Sequence, residues 1–198
     1  MATRSRIQGG PEANTAVRIL DVAERLVQTS GFNGFSYADV AAELDLTKAS
    51  LHYHFAGKAD LGEALIWRYA ERFAEARVVI DGHVPDARAK LDAYVALYAD
   101  VLREHRMCLC GILAAEYQTL PQTMRDAVVR FFDDNEAWLT SVLARGQARG
   151  TLSLCEPPSE AAQMIVSGLE GAMLVACLNS DLERFQSAAD RLLSSLTT

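Results

Sequence analysis

The sequence predicts an all-α protein, because apolar residues recur at three- and four-residue spacing along almost the whole chain. No run of alternating β-branched residues interrupts the pattern, and Gly, Pro and Asn-Gly punctuate it where helices would end. About nine helices follow from these breaks, in a chain of 198 residues that can bury one large core or two closely packed ones.

Residues 1–11 end in Gly-Gly-Pro and read as a flexible arm. They carry Arg4 and Arg6 without an apolar run, which excludes a secretory signal. From Glu12 to Ser30, Val17, Leu20, Ala23 and Val27 recur at helical spacing, and Gly31 stops the helix. After the Asn33-Gly34 turn, Ser36 and Asp39 form a capping-box pattern for a short helix, Tyr37 to Leu44, with Val40, Ala41 and Leu44 inward. Asp45-Leu46 breaks it. Thr47 caps a second short helix through His54, anchored by Leu51 and Phe55. Near Lys58 a longer helix opens, striped by Leu61, Leu65, Tyr69 and Phe73. Asp86 to His105 carries Leu91, Tyr94, Val95, Tyr98, Val101 and Leu102 on one side, and Met107 to Gln118 reads as a shorter helix. Pro121 suits a first turn, and Val128, Phe131, Asn135, Leu139 and Val142 continue that helix to Gly150. Glu156-Pro157-Pro158 is a rigid linker, Ser159 caps a helix to Asn179, and Leu182 to Leu196 forms the last one.

Half of the residues are hydrophobic, which excludes wholesale disorder. Cys108, Cys110, Cys155 and Cys177 do not suggest a disulfide framework, and a reducing, cytoplasmic setting is expected. The most apolar stretch, Met164 to Leu178, contains Ser167 and Glu170 and is too short to span a bilayer, so no membrane partner is expected. A net charge of −7 argues superficially against nucleic acid as a partner. Residues 1–58, however, hold six basic and six acidic side chains, so the excess of acid lies entirely beyond them. The N-terminal segment is therefore free to meet a polyanion through local cations and backbone amides.

A long helix followed by two short ones and a tight turn is the geometry of a helix-turn-helix. Its second short helix enters the major groove N-terminal end first. That role falls to TKASLHYHF, where Lys48, Ala49, Ser50, His52 and Tyr53 lie on the face left free by Leu51 and Phe55. Ser50 can bond a base edge or phosphate, and Ala49 can lie on a thymine methyl. Thr47 and Lys58 stand at helix starts, which favour phosphate. His54 suits a phosphate contact or simple packing. A short surface helix in a helical enzyme, or in a helical adaptor that does not bind DNA, has the same spacing. No Gly-rich phosphate loop, H-E-x-x-H or G-x-S-x-G occurs, so neither catalysis nor a cofactor is expected.

Residues 16–62 resemble the N-terminal domain of the TetR family of transcriptional regulators. The resemblance rests on ILDVAERLVQTSGFNGFSYADVAAELDLTKASLHYHFAGKADL, with Gly31-Phe32, Phe35-Ser36, Val40-Ala41, LHYHF and Lys58 in order. It implies that Thr47, Lys48, Ser50, Tyr53, His54 and Lys58 touch bases or phosphates. This sequence departs from the pattern at His52, where tyrosine is usual, and at Asp45, where glycine is usual. The implied function is a homodimeric repressor on a palindromic double-stranded operator, released by a small-molecule effector. Residues 12–57 would be the DNA-binding head, and residues 58–198 a ligand-sensing and dimerisation body.

Within that body, Tyr94, Tyr98, Met107, Leu113, Tyr117, Phe131, Phe132, Asn135, Trp138 and Met173 can line an aromatic effector pocket or simply fill the core. The helix from Glu160 is apolar nearly all round and needs cover from a second subunit as well as its own. Met164, Gly168, Leu169, Gly171, Ala172 and Val175, with Leu182 and Leu192 of the last helix, are the expected dimer residues. Cys108 and Cys110 admit three readings: core filling, a redox or electrophile sensor, or a metal site. A sensor needs partial exposure and a thiol pKa lowered by Arg103, His105 or Arg106. On a helix, positions two apart diverge, which disfavours a shared metal ion.

Overall fold

In a computed structural model, residues 11–196 are described, with side chains from 14 to 195; the N-terminal arm expected over residues 1–11 lies almost wholly outside them. Nine α-helices occur among the described residues: α1 Pro11–Ser30, α2 Tyr37–Leu44, α3 Lys48–His54, α4 Lys58–His83, α5 Ala87–Arg103, α6 Leu109–Ala115, α7 Gln122–Ala148, α8 Pro158–Cys177 and α9 Leu182–Leu196. A 3-10 turn, Tyr117–Thr119, follows α6.

Helices α1, α2 and α3 form a small N-terminal head, and α4 runs from it into a body made of α5 to α9. In the body, α8 packs on α7 along one side and on α9 along another. One continuous core links the two parts, from Ile19, Ala23 and Leu51 in the head through Leu61 and Leu65 to Tyr98, Phe131 and Leu169. At Gly62 the two meet directly: a Cβ built there would lie 2.5 Å from Met124 Cε and 2.8 Å from the Phe32 ring.

Several boundaries differ from the sequence reading for identifiable reasons. Val17 is 44% exposed, because the buried stripe of α1 centres on Ile19, Ala23 and Val27. His105 adopts φ 57° and α5 stops at Arg103. The expected helix from Met107 to Gln118 is split, because both ends of the segment are tied to the head. Gln28 Nε2 donates to Met107 O at 3.0 Å, and the Glu116 carboxylate turns back to the α1–α2 loop. Pro157, not Ser159, occupies the N-cap of α8.

Candidate nucleic-acid interface

The head is built by local chemistry. Ser36 closes a complete capping box with Asp39 at the start of α2: Ser36 N donates to Asp39 Oδ2 at 2.7 Å, and Ala38 N donates to Ser36 Oγ at 3.2 Å. The Ser36 bonds hold the Asp39 carboxyl below its usual pKa. In the turn, Asp45 adopts the left-handed conformation, φ 54° and ψ 45°, and its N–H reaches the carbonyls of Ala41 and Ala42. Aspartate tolerates this region better than most residues, so it does the work of the glycine usual at this point. Thr47 then caps α3, its Oγ1 accepting from Ser50 N at 3.1 Å.

Leu51 is fully buried and fixes the rotation of α3. That rotation leaves Thr47, Lys48, Ala49, His52 and Tyr53 exposed, with Ser50 and His54 partly so. Tyr53 is 72% exposed and meets the His54 ring edge-on at 5.2 Å. His52 is held in place, its ring 4.8 Å from Tyr37 and its Nδ1–H donating to Ala56 O at 2.9 Å. Tyr37 in turn donates to Phe55 O at 3.0 Å, and burial pushes its hydroxyl up to about 12. Seven of the eight expected DNA contacts therefore share one short, capped and anchored surface.

Lys58 behaves differently from the expected phosphate clamp. Its ammonium donates to the carbonyls of Phe32 and Phe35 and lies 4.7 Å and 4.3 Å from their ring centroids. Partial burial lowers its pKa, opposed by the Glu116 and Asp39 charges. The lysine is committed to the α1–α2 loop and closes the head against α4.

Three contacts join this loop to the α6 segment. Glu116 Oε2 accepts from Phe32 N at 2.7 Å, Glu116 Oε1 accepts from Asn33 N at 3.3 Å, and Asn33 Nδ2 donates to Thr119 Oγ1 at 2.8 Å. With Gln28 on Met107, α6 is fastened to the head at both ends. Glu24, almost fully buried, adds ion pairs from α1 to Arg68 at 2.7 Å and to Arg72 on α4. The partners of Gln28, Glu116 and Glu24 lie 44 to 84 residues away, so these contacts are beyond any local pattern.

The expected aromatic pocket is a filled core. Tyr94, Tyr98, Phe131 and Asn135 are buried and satisfy one another: Tyr94 Oη donates to Asn135 Oδ1 at 3.1 Å, and Asn135 Nδ2 donates to Phe131 O at 2.6 Å. Leu113 and Met173 are equally buried. Trp138 packs its ring on Tyr94, centroids 5.5 Å apart, and donates to Asp81 Oδ2 at 2.9 Å, while Tyr117 lies 5.4 Å from the Arg125 guanidinium. Only Met107 and Phe132 of the expected set line an open groove of about 380 Å³, which runs between α6, α7 and α8.

Cys108 and Cys110 are fully buried. Burial first, then the neighbouring Glu170 carboxyl, pushes both thiols well above their ordinary pKa. The cations expected to activate them are used elsewhere: Arg103 pairs with Asp100, Arg106 with Glu104 at 3.2 Å, and His105 Nδ1 with Ser180 Oγ at 3.0 Å. Neither cysteine is an exposed, low-pKa thiol, and both are packed in the core. Among the described residues no three His, Cys, Asp or Glu side chains converge to hold a metal.

Of the expected dimer residues, Leu169 is buried within its own subunit, and Leu192 packs over Gly168. The exposed stripe of α8 runs through two of the expected residues, Met164 and Gly171, to Leu178, with Ser167 and Leu174 between them at the same seven-residue spacing. Met164 is 54% exposed, Leu174 58% and Leu178 79%. Val175 and Ala172 flank the stripe, and Leu182 on α9 is half-buried.

Comparison with known proteins agrees with this geometry. The family model for bacterial regulatory proteins of the tetR family matches residues 19–65, and that for the tetracyclin repressor-like C-terminal domain matches residues 87–192. The transcriptional regulator AcuR of Cereibacter sphaeroides is 30% identical over 183 residues, covering 88% of this chain and 82% of that protein. The repressor NemR of Escherichia coli is 25% identical over 194 residues, covering 94% and 96%. A crystal structure of a TetR-family regulator from Agrobacterium tumefaciens superposes with a TM-score of 0.90 at 31% identity, covering 94% of this chain and all of that one. With one family model on the head and another on the body, the chain belongs to the TetR family of transcriptional regulators.

Proposed function

We propose that the protein is a homodimeric repressor whose two α3 helices read the halves of a palindromic operator, and that a small-molecule effector releases it. The family supplies the coarse statement: a non-enzymatic, DNA-binding and effector-responsive regulator, typically dimeric. The observation that carries the finer one is α3, capped by Thr47, locked by Leu51, and presenting Lys48, Ala49, Ser50 and Tyr53 outward. Ser50 and Tyr53 are suited to base edges, and Lys48 with the first-turn amides to phosphate. Lys58 supports this surface from behind. The exposed α8 stripe supports a twofold partner, and two-fold symmetry in the protein calls for matching half-sites in the DNA. Repression is favoured by relatives named as repressors.

The head, 12–57, and the body, 58–198, are taken to change their relative tilt about the start of α4. Strain in the body reaches the head through α6, because that short helix is tied to Gln28 at one end and to Phe32 and Asn33 at the other. The effector then selects between two pre-existing arrangements. A mobility-shift assay on DNA upstream of the chain's own gene tests the reading. A sequence-specific, salt-sensitive shift that Ser50→Ala and Tyr53→Phe weaken is expected. Binding that ignores both substitutions and competitor sequence overturns it.

A further inference from the structure

The groove between α6, α7 and α8 has a composition that defines what it can hold. Met107, Ile112, Phe132, Val166 and Leu174 form apolar walls around a volume of about 380 Å³. That size suits a small organic molecule. Its charged lining residues are both acidic, Glu136 from α7 and Glu170 from α8, and no basic side chain lines it. Glu170 Oε1 is sealed from solvent with no hydrogen bond of normal geometry, and the carboxyl faces the Cys108 thiol and the Tyr98 hydroxyl. Glu170 Oε2 rests where a Cβ on Gly111 of α6 would be, so only glycine lets the carboxyl sit under that helix.

A buried acceptor left unpaired destabilises the protein, and more so when charged. The sequence could have avoided that cost with glutamine or leucine in this otherwise apolar helix. A cation held in the groove beside Glu170 would favour the charged form of the carboxyl, which burial disfavours in the empty protein. An anionic ligand would meet two carboxyls and no cation. A wholly apolar one would leave Glu170 as it is.

We propose that this groove is the effector site and that its ligand is an apolar organic cation, an alkyl- or arylamine whose ammonium pairs with Glu170 while its apolar part lies against Phe132, Ile112 and Val166. The assignment rests on the reading of the protein as an effector-responsive regulator. Glu136 supplies a second, outer carboxyl, and the Phe132 ring can add cation–π attraction. Occupation of Glu170 presses on α6 at Gly111, midway between its two attachments to the head.

Three matched probes test the proposal by calorimetry on the full-length protein at about pH 8, above the value of about 7 to which burial raises Glu170: phenylbutylamine, phenylbutanol and phenylbutyrate. The amine is expected to bind at least about tenfold more tightly than the alcohol, a difference of about 1.4 kcal/mol, with the carboxylate weakest. Glu170→Gln should abolish the amine's advantage while a cooperative thermal transition is kept, and Glu136→Gln should reduce it in part. Equal binding of the three probes, full retention of amine binding in Glu170→Gln, or no binding of any probe because a partner subunit fills the groove would each overturn the proposal. Operator release is read separately. Amine binding in the groove that leaves operator bound overturns the effector role. Amine binding by a protein that never binds operator supports the groove's chemistry and overturns the regulator reading beneath it.

Discussion

Lys48 and Lys58 carry the same charge into different surroundings, and the difference predicts different phenotypes. Lys48 is exposed at the first turn of α3, where a phosphate would neutralise it. Lys48→Ala should lower the slope of log affinity against log salt by about 1 and leave the thermal midpoint in place. Lys58 is bound to two carbonyls and two aromatic rings, so Lys58→Met should cost about 2 kcal/mol of stability and leave that slope unchanged. Salt-titrated binding with parallel urea unfolding separates the two. At Glu170 the relevant variable is pH. Burial raises its carboxyl to about 7, and the side chains facing it are Tyr69, Tyr94, Tyr98, Cys108 and Cys110, with Glu136 across the groove. A carboxyl raised on folding stabilises the native state fully below its unfolded pKa of 4.5, and that contribution is lost as pH rises to about 7. The loss amounts to about 3 kcal/mol. Urea unfolding should show stability falling across this window in the natural protein and a flatter profile in Glu170→Gln.

At the scale of elements, α6 is the piece whose role depends most on contacts distant in sequence. Glu116→Gln keeps the shape of the side chain but removes the charge that accepts from Phe32 N and Asn33 N. Amide exchange at Phe32 and Asn33 should accelerate by about tenfold or more, with weaker operator binding; unchanged protection would show that α6 does not hold the head. The contrast with α2 and α3 explains what was legible in advance. Those helices were readable because Ser36, Asp39, Thr47 and Leu51 act on neighbours within a few residues, where capping and periodicity apply. The left-handed Asp45 was visible only as a departure from glycine, and the α6 attachments were invisible because each joins partners some 80 residues apart. Aromatic residues at helical spacing marked Tyr94, Tyr98 and Phe131 correctly as inward-facing, but periodicity cannot tell a filled core from a cavity. Glu170, an acid within the apolar stretch Met164 to Leu178, marks the proposed groove instead.

For the whole molecule, the proposed dimer rests on the exposed α8 stripe. Met164→Glu with Leu178→Glu places charges on exposed apolar positions of that stripe that do not line the groove. The double variant should sediment as a folded monomer and lose about a hundredfold in operator affinity, because two linked heads gain avidity that one lacks. A monomer that keeps full affinity would remove the dimer from the account. Gly62 has a consequence of another kind. Phe32 of the head and Met124 of the body close on it from two sides, and neither leaves room for a methyl group. Gly62→Ala should therefore force the two parts to separate with no effector present. In a reporter strain its signature would be inheritance rather than induction: colonies switched on permanently, recovered from a screen for constitutive expression, and indifferent to whatever molecule the natural protein answers to.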